Sequence, residues 1–205
     1  MKWIFGLLLA LIGGAHVAWA AEAPRDRMVR EQIQARGVTN AAVLAAMRAV
    51  PREDFVPAGL RDLAYRDGPL PIGYGQTISQ PYIVALMTDL LEVRRGDKVL
   101  EVGTGSGYQA AVLAALGCRV WTVEIVRELA ASSSERLQRL GFERVKVKAG
   151  DGYVGWPEQA PFDAVIVTCA VEPVPPPPAP RVKPRVKVES VPRPKVPESE
   201  EPVVW

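Results

Sequence analysis

The chain has 205 residues, enough for one ordinary domain and too few for two. Its 48% apolar and 23% charged residues are a globular composition, and a net charge of +2 argues against nucleic acid or an anionic membrane as the main partner. The single histidine, His16, falls in a segment with the character of a removable leader. The mature chain then has no Ser-His-Asp or Cys-His machinery and no imidazole metal ligand, and no metal is expected.

That leader is Met1–Ala20. Lys2 is its only charge, Ile4–Ile12 is apolar apart from Gly6, and Ala18-Trp19-Ala20 is a small-x-small cleavage signature. The layout is that of a secretory signal peptide cleaved after Ala20, with an apolar run short for a membrane span. The expected location is therefore outside the cytosol, in the periplasm; an uncleaved anchor and a cytoplasmic chain are the alternatives.

Pro24–Arg36 reads as a helix closed by Gly37, and Thr39 or Asn40 as the cap of a second helix through Ala49, stopped by Pro51. Glu53–Pro71 reads as irregular. Ser79 is placed to cap a third helix through Glu92, with Ile83, Leu86, Met87, Leu90 and Leu91 on its apolar face. From there strands and helices alternate. Strands are expected at Lys98–Val102, Arg119–Glu124, Val145–Lys148 and Phe162–Thr168, with helices at Tyr108–Leu116 and Val126–Leu140. Such alternation predicts a parallel, doubly wound α/β sheet. Cys118 enters one strand and Cys169 leaves another, so the two thiols are expected at opposite sheet edges, unbridged and buried. Beyond Val171 the pattern stops, because eleven of the 19 prolines lie between Pro173 and Pro202. Residues 171–205 are expected to form an extended, disordered tail.

Three features point to a nucleoside cofactor. Gly103-Thr104-Gly105-Ser106-Gly107 turns from a strand into a helix, which lets backbone approach a ligand at the strand's carboxyl end. The usual dinucleotide pattern needs glycine where Tyr108 stands, which favours S-adenosylmethionine over NAD. Glu124 ends the next strand, 21 residues after Gly103, where a carboxylate can accept from both ribose hydroxyls. Gly150-Asp151-Gly152 follows the third strand at the same edge, with Asp151 suited to an adenine amino group and Gly152 to a close approach.

Leu70-Pro71-Ile72-Gly73-Tyr74-Gly75-Gln76-Thr77-Ile78-Ser79-Gln80-Pro81-Tyr82 then adds something more specific. Together with Val50-Pro51-Arg52-Glu53-Asp54-Phe55-Val56-Pro57 before it, Glu101–Gln109 and Ala160–Thr168 after it, this segment resembles the protein-L-isoaspartate (D-aspartate) O-methyltransferase family over roughly Arg25–Ala170. The resemblance implies a Rossmann-like fold and methyl transfer from S-adenosylmethionine to L-isoaspartyl and D-aspartyl carboxylates in damaged proteins. It implies that Ser79 is the active-site residue. Thr77, Ile78, Gly103, Thr104, Gly105, Glu124, Asp151 and Gly152 would hold the cofactor, with Tyr82 on the substrate wall. It also implies a monomer whose partners are proteins or peptides with isoaspartyl sites. The sheet is expected to end after its fourth strand, by frameshift or by natural divergence. The second reading is a binding module: a methyltransferase-like domain that no longer catalyses and acts through a Pro-rich tail.

Overall fold

The computed structural model describes residues 22–169; the expected leader and the expected tail lie outside the described residues. The chain opens as α1 (Pro24–Arg27), with proline in its first turn, and runs on as a π-helical stretch over Met28–Ile33 and a 3-10 turn over Gln34–Arg36. The widened repeat has a visible use: Met28 and Ile33, five apart, are both buried with Val29. Gly37 ends the segment in the left-handed region. Asn40 rather than Thr39 caps α2 (Ala41–Ala49), accepting from the N–H groups of Ala42 and Val43.

Two departures follow. The stretch after Pro51 holds 3-10 turns at Arg52–Asp54 and Ala58–Leu63, and then an antiparallel hairpin of β1 (Leu70–Gly73) and β2 (Gln76–Ile78). The hairpin escapes a periodicity reading because its strands are only four and three residues long. The third helix, α3, is Pro81–Leu90; Gln80 is its N-cap, and no side chain closes the end. Proline's fixed φ and missing N–H suit the first helical position, so Pro81 sets the start and leaves Ser79 one residue too early to cap. The buried face is Val84, Ala85, Met87 and Thr88, rotated from the expected one, and Leu90 is exposed.

The main sheet contains β3 (Lys98–Val102), β4 (Arg119–Glu124), β5 (Lys146–Ala149) and β6 (Ala164–Val167) in the order β5-β4-β3-β6, every pairing parallel. That is the order 3-2-1-4 of the first four strands of a doubly wound nucleotide-binding sheet. Helices α4 (Tyr108–Ala115) and α5 (Arg127–Arg139) make the first two crossovers. The larger apolar core joins them to α2, α3 and one face of the sheet through Val99, Val120 and Ile166. Leu100, Val123, Phe162 and Val165 form a second cluster on the opposite face, where Trp121, Trp156 and Ala160 pack over them. Although β6 is the last strand expected, its apolar residues are covered: Phe162, Ala164, Val165 and Ile166 are all buried. Both thiols are free, but only Cys118 is buried, while Cys169 is exposed where the chain leaves β6.

Candidate active site

The point where the chain reverses its direction of travel across a parallel sheet lies between β3 and β6, at their carboxyl ends. The glycine turn sits there. Gly103 has φ +100°, and a Cβ on it would stand 2.9 Å from Thr168 Oγ1 and 3.0 Å from Cys169 Cβ. Only glycine allows β3 to pass this closely beneath the end of β6. Thr168 closes the junction, its hydroxyl 2.6 Å from the Gly103 carbonyl and 3.0 Å from that of Val102.

Glu124, buried at the end of β4, is built into the turn. Its Oε2 accepts from the Gly105 N–H at 2.7 Å and its Oε1 from the Val126 N–H at 2.9 Å. A carboxylate has about four lone-pair sites, so two remain for ligand hydroxyls. The expected ribose acceptor therefore has a second task that sequence alone does not display: it fixes the glycine loop.

The β1–β2 hairpin supplies the facing wall. One cavity is lined by Thr77, Ile78 and Ser79 from the hairpin side, Val84 and Met87 from α3, and Gly103 to Ser106, Tyr108, Gln109 and Thr168 from the sheet side. Ile72 lies over the turn, with its Cδ1 3.4 Å from where a Gly105 Cβ would be. Six of the expected residues (Thr77, Ile78, Ser79, Gly103, Thr104 and Gly105) thus meet in one cleft, and Glu124 is tied to it through Gly105. Asp151 and Gly152 follow β5 and are not among those lining residues. Asp151 is exposed and its Oδ1 accepts from the Tyr153 N–H at 2.9 Å. Gly152 has a packing reason of its own, because a Cβ there would stand 2.3 Å from Val102 Cγ1. Tyr82 also lies off the cleft lining, with the Arg36 guanidinium 3.6 Å above its ring.

Sequence reading passed over the support beneath the cleft. Tyr108, buried behind the turn, is held edge-on by Phe55 at 5.4 Å and lies under the fully buried Arg52 at 5.0 Å. Arg52 Nε donates to the Ala64 carbonyl at 2.8 Å. The Val50–Pro57 segment thus buttresses the start of α4. Gln109 donates to Thr88 at 2.8 Å, which passes its own proton to the Val84 carbonyl. The recurrence of Thr and Gln at otherwise apolar positions of α3 and α4 was the available signal. Among the described residues no His, Cys, Asp and Glu cluster could hold a metal ion.

The glycine turn carries groups suited to a nucleoside cofactor: side-chain-free backbone at Gly103 and Gly105, and in Glu124 an anchored carboxylate with acceptor capacity to spare. A parallel sheet of this order with that turn, faced by the hairpin residues Thr77 and Ile78, defines a Rossmann-like domain of the S-adenosylmethionine-dependent methyltransferase class. The model of the protein-L-isoaspartate (D-aspartate) O-methyltransferase family matches residues 23–184, and the chain belongs to that family. Curated relatives agree. A protein-L-isoaspartate O-methyltransferase of Opitutus terrae is 56% identical over 171 residues, covering 82% of this chain and 73% of the relative. One of Nitrosospira multiformis is 58% identical over 165 residues, covering 80% and 70%. A solved protein-L-isoaspartate O-methyltransferase superposes with TM-score 0.69 at 31% identity, covering 78% of this chain and 52% of that one. A Plasmodium falciparum protein described as a protein-L-isoaspartate O-methyltransferase was solved in complex with S-adenosyl-L-homocysteine. It superposes with TM-score 0.63 at 25% identity, covering 75% and 77%.

Proposed function

We propose that this chain transfers a methyl group from S-adenosylmethionine to the side carboxylate of L-isoaspartyl and D-aspartyl residues in damaged proteins, the first step of their repair. The observation that carries the reading is the single cleft in which the Thr77–Ser79 wall faces the Gly103–Gly105 turn. Family membership and the names of its relatives support it. When bound, the cofactor supplies an electrophilic methyl group.

The chain's residues then have modest duties. A carboxylate is ionised at neutral pH, so no general base is required of the protein. Alignment and exclusion of water are required. Glu124 and the backbone of Gly103 and Gly105 hold the nucleoside, with Thr104, Thr77 and Ile78 completing its wall, and Asp151 and Gly152 lie beyond β5 toward the adenine end. Ser79, half-buried on the facing wall and relieved of capping α3, orients the substrate carboxylate by donating a hydrogen bond. Tyr82 braces the helix behind that wall.

Labelled methyl incorporation into matched peptides tests the substrate. Label is expected in the L-isoaspartyl peptide and not in its aspartyl twin; equal labelling would overturn the assignment. The composition of Met1–Ala20 supports export to the periplasm, with residues 21–170 as the catalytic domain and 171–205 as a tail. No helix among the described residues is long and apolar enough to cross a membrane. A mature N-terminus at Ala21 is the expected outcome of sequencing the secreted or periplasmic fraction.

A further inference from the structure

A second cavity, of about 450 Å³, opens at the other end of the sheet, by the amino ends of β3 and β4. Arg95 and Gly96 line it from the loop before β3, Gly117 and Arg119 from the turn into β4, and Gly141 and Arg144 from the turn between α5 and β5. Three guanidinium side chains thus border one space. None of the three forms an ion pair among the described residues, and Glu143, the one carboxylate in the lining, is exposed. Two of them are held in place. The Arg95 stem lies across Gly117, so close that a Cβ there would stand 2.8 Å from its Cγ and 3.4 Å from its Nη1. Arg119 Nε donates to the Gly96 carbonyl at 3.1 Å, which leaves its Nη groups for another partner. A cation at a helix C-terminus commonly serves the orphan carbonyls there, and α4 and α5 both end here. The backbone already meets that need. Val112, Leu113 and Ala114 accept from the N–H groups of Leu116, Cys118 and Gly117, and Arg136, Leu137 and Gln138 from those of Leu140, Phe142 and Gly141.

We infer that this cavity is an anion site for a diphosphate group, held by Arg95, Arg119 and Arg144 and separate from the cofactor cleft. A planar guanidinium grips two oxygens at once, and carboxylate and phosphate are the anions that match its fork. A carboxylate fills one fork. Three forks gripping two oxygens apiece call for about six, more than one phosphate offers and the number a diphosphate presents at its termini. The site does not compete with the glycine turn, because the five residues of β3 stand between them, about 16 Å of strand. A bound anion would tie together the segments that lead into β3, β4 and β5, and so stabilise the native sheet.

NMR titration of the full chain with inorganic pyrophosphate at fixed ionic strength tests the site. The amide resonances of Gly96, Gly117 and Gly141 should shift and saturate, while those of Gly103 and Gly105 stay still. Arg144→Gln, at an exposed position without an ion pair, should weaken this binding about tenfold or more, as one charge-assisted fork is lost. Arg144→Lys, which keeps the charge and not the fork, should recover only part of the loss. Arg95→Gln stands in if Arg144→Gln does not fold. Thermal melts give a second readout: pyrophosphate should raise the melting temperature of wild type and not that of Arg144→Gln. A parallel titration with ADP separates a free diphosphate from a nucleotide. Tighter binding of ADP at the same three glycines assigns a nucleotide, and weaker binding an inorganic diphosphate. Shifts that never saturate, that sodium sulfate reproduces at matched ionic strength, or that persist unchanged in Arg144→Gln and Arg95→Gln would overturn the site. S-adenosylhomocysteine binding is read at Gly103 and Gly105 and bears on the cofactor reading alone.

Discussion

Glu124 makes two backbone hydrogen bonds that hold the glycine turn, so its loss removes more than a ligand contact. Glu124→Ala is expected to weaken S-adenosylhomocysteine binding by about 1.5–3 kcal/mol, the range for hydrogen bonds to a charged group. Glu124→Gln keeps one acceptor and should lose less; calorimetry at pH 7 ranks the three. Glu101 gives a second prediction, on stability. Its folded value, about 8, lies above the ordinary 4.5, so between these the native state holds a proton that the unfolded chain has released. Its contribution to stability is fully present below pH 4.5, declines as pH rises, and is lost above pH 8. Thermal melts of Glu101→Gln, which never ionises, should gain on wild type steadily across that window and then run parallel. A constant difference from pH 5 to 9 would mean that Glu101 is already charged in the native protein. At this scale the sequence showed which residues carry charge or lack a side chain. It did not show that Glu124 serves the loop as well as the ligand, because that depends on Gly105 reaching back across 19 residues.

The elements were legible where their sequences are long and periodic. Lys98–Val102 and Arg119–Glu124 stand as read, and α4, α5, β5 and β6 differ from their readings by one or two residues at an end. Legibility failed at the hairpin and at the start of α3, where local turn chemistry outweighs periodicity. The loop after β5 provides a test of why glycine stands there. Gly152→Ala would press a methyl into Val102 Cγ1, and overpacking of this kind costs about 1–3 kcal/mol. Val102→Ala in the Gly152→Ala background should recover most of the loss, since it empties the space the new methyl needs. Urea unfolding of the single and double variants measures both steps. If Val102→Ala gives no recovery, the glycine is needed for something other than packing on β3.

Across the whole molecule, the two cysteines report on different events. Cys118 is buried, and burial pushes its thiol up to about 11, so alkylation there should wait for unfolding. Cys169 is exposed beside Gly103, although desolvation and the Glu124 carboxylate hold its thiol above the ordinary range. Thiol labelling followed by mass spectrometry should therefore modify Cys169 alone in the native protein, faster as pH rises. S-adenosylhomocysteine should slow it, because the cleft wall at Thr168 adjoins Cys169; labelling of both thiols at equal rates would contradict this packing. The strand and helix alternation and the glycine turn pointed to the class of sheet and to a nucleoside cofactor, because they depend on backbone conformation and close approach within short stretches of chain, while the segment from Leu70 to Tyr82 carried the family resemblance. Tertiary packing alone decided the rest: that Thr77–Ser79 face Gly103–Gly105 across one cleft, that Tyr82 lies under Arg36 outside its lining, and that Glu101 is sealed without a partner. These depend on contacts between residues far apart in the chain, and no local pattern encodes the distance at which two such segments meet.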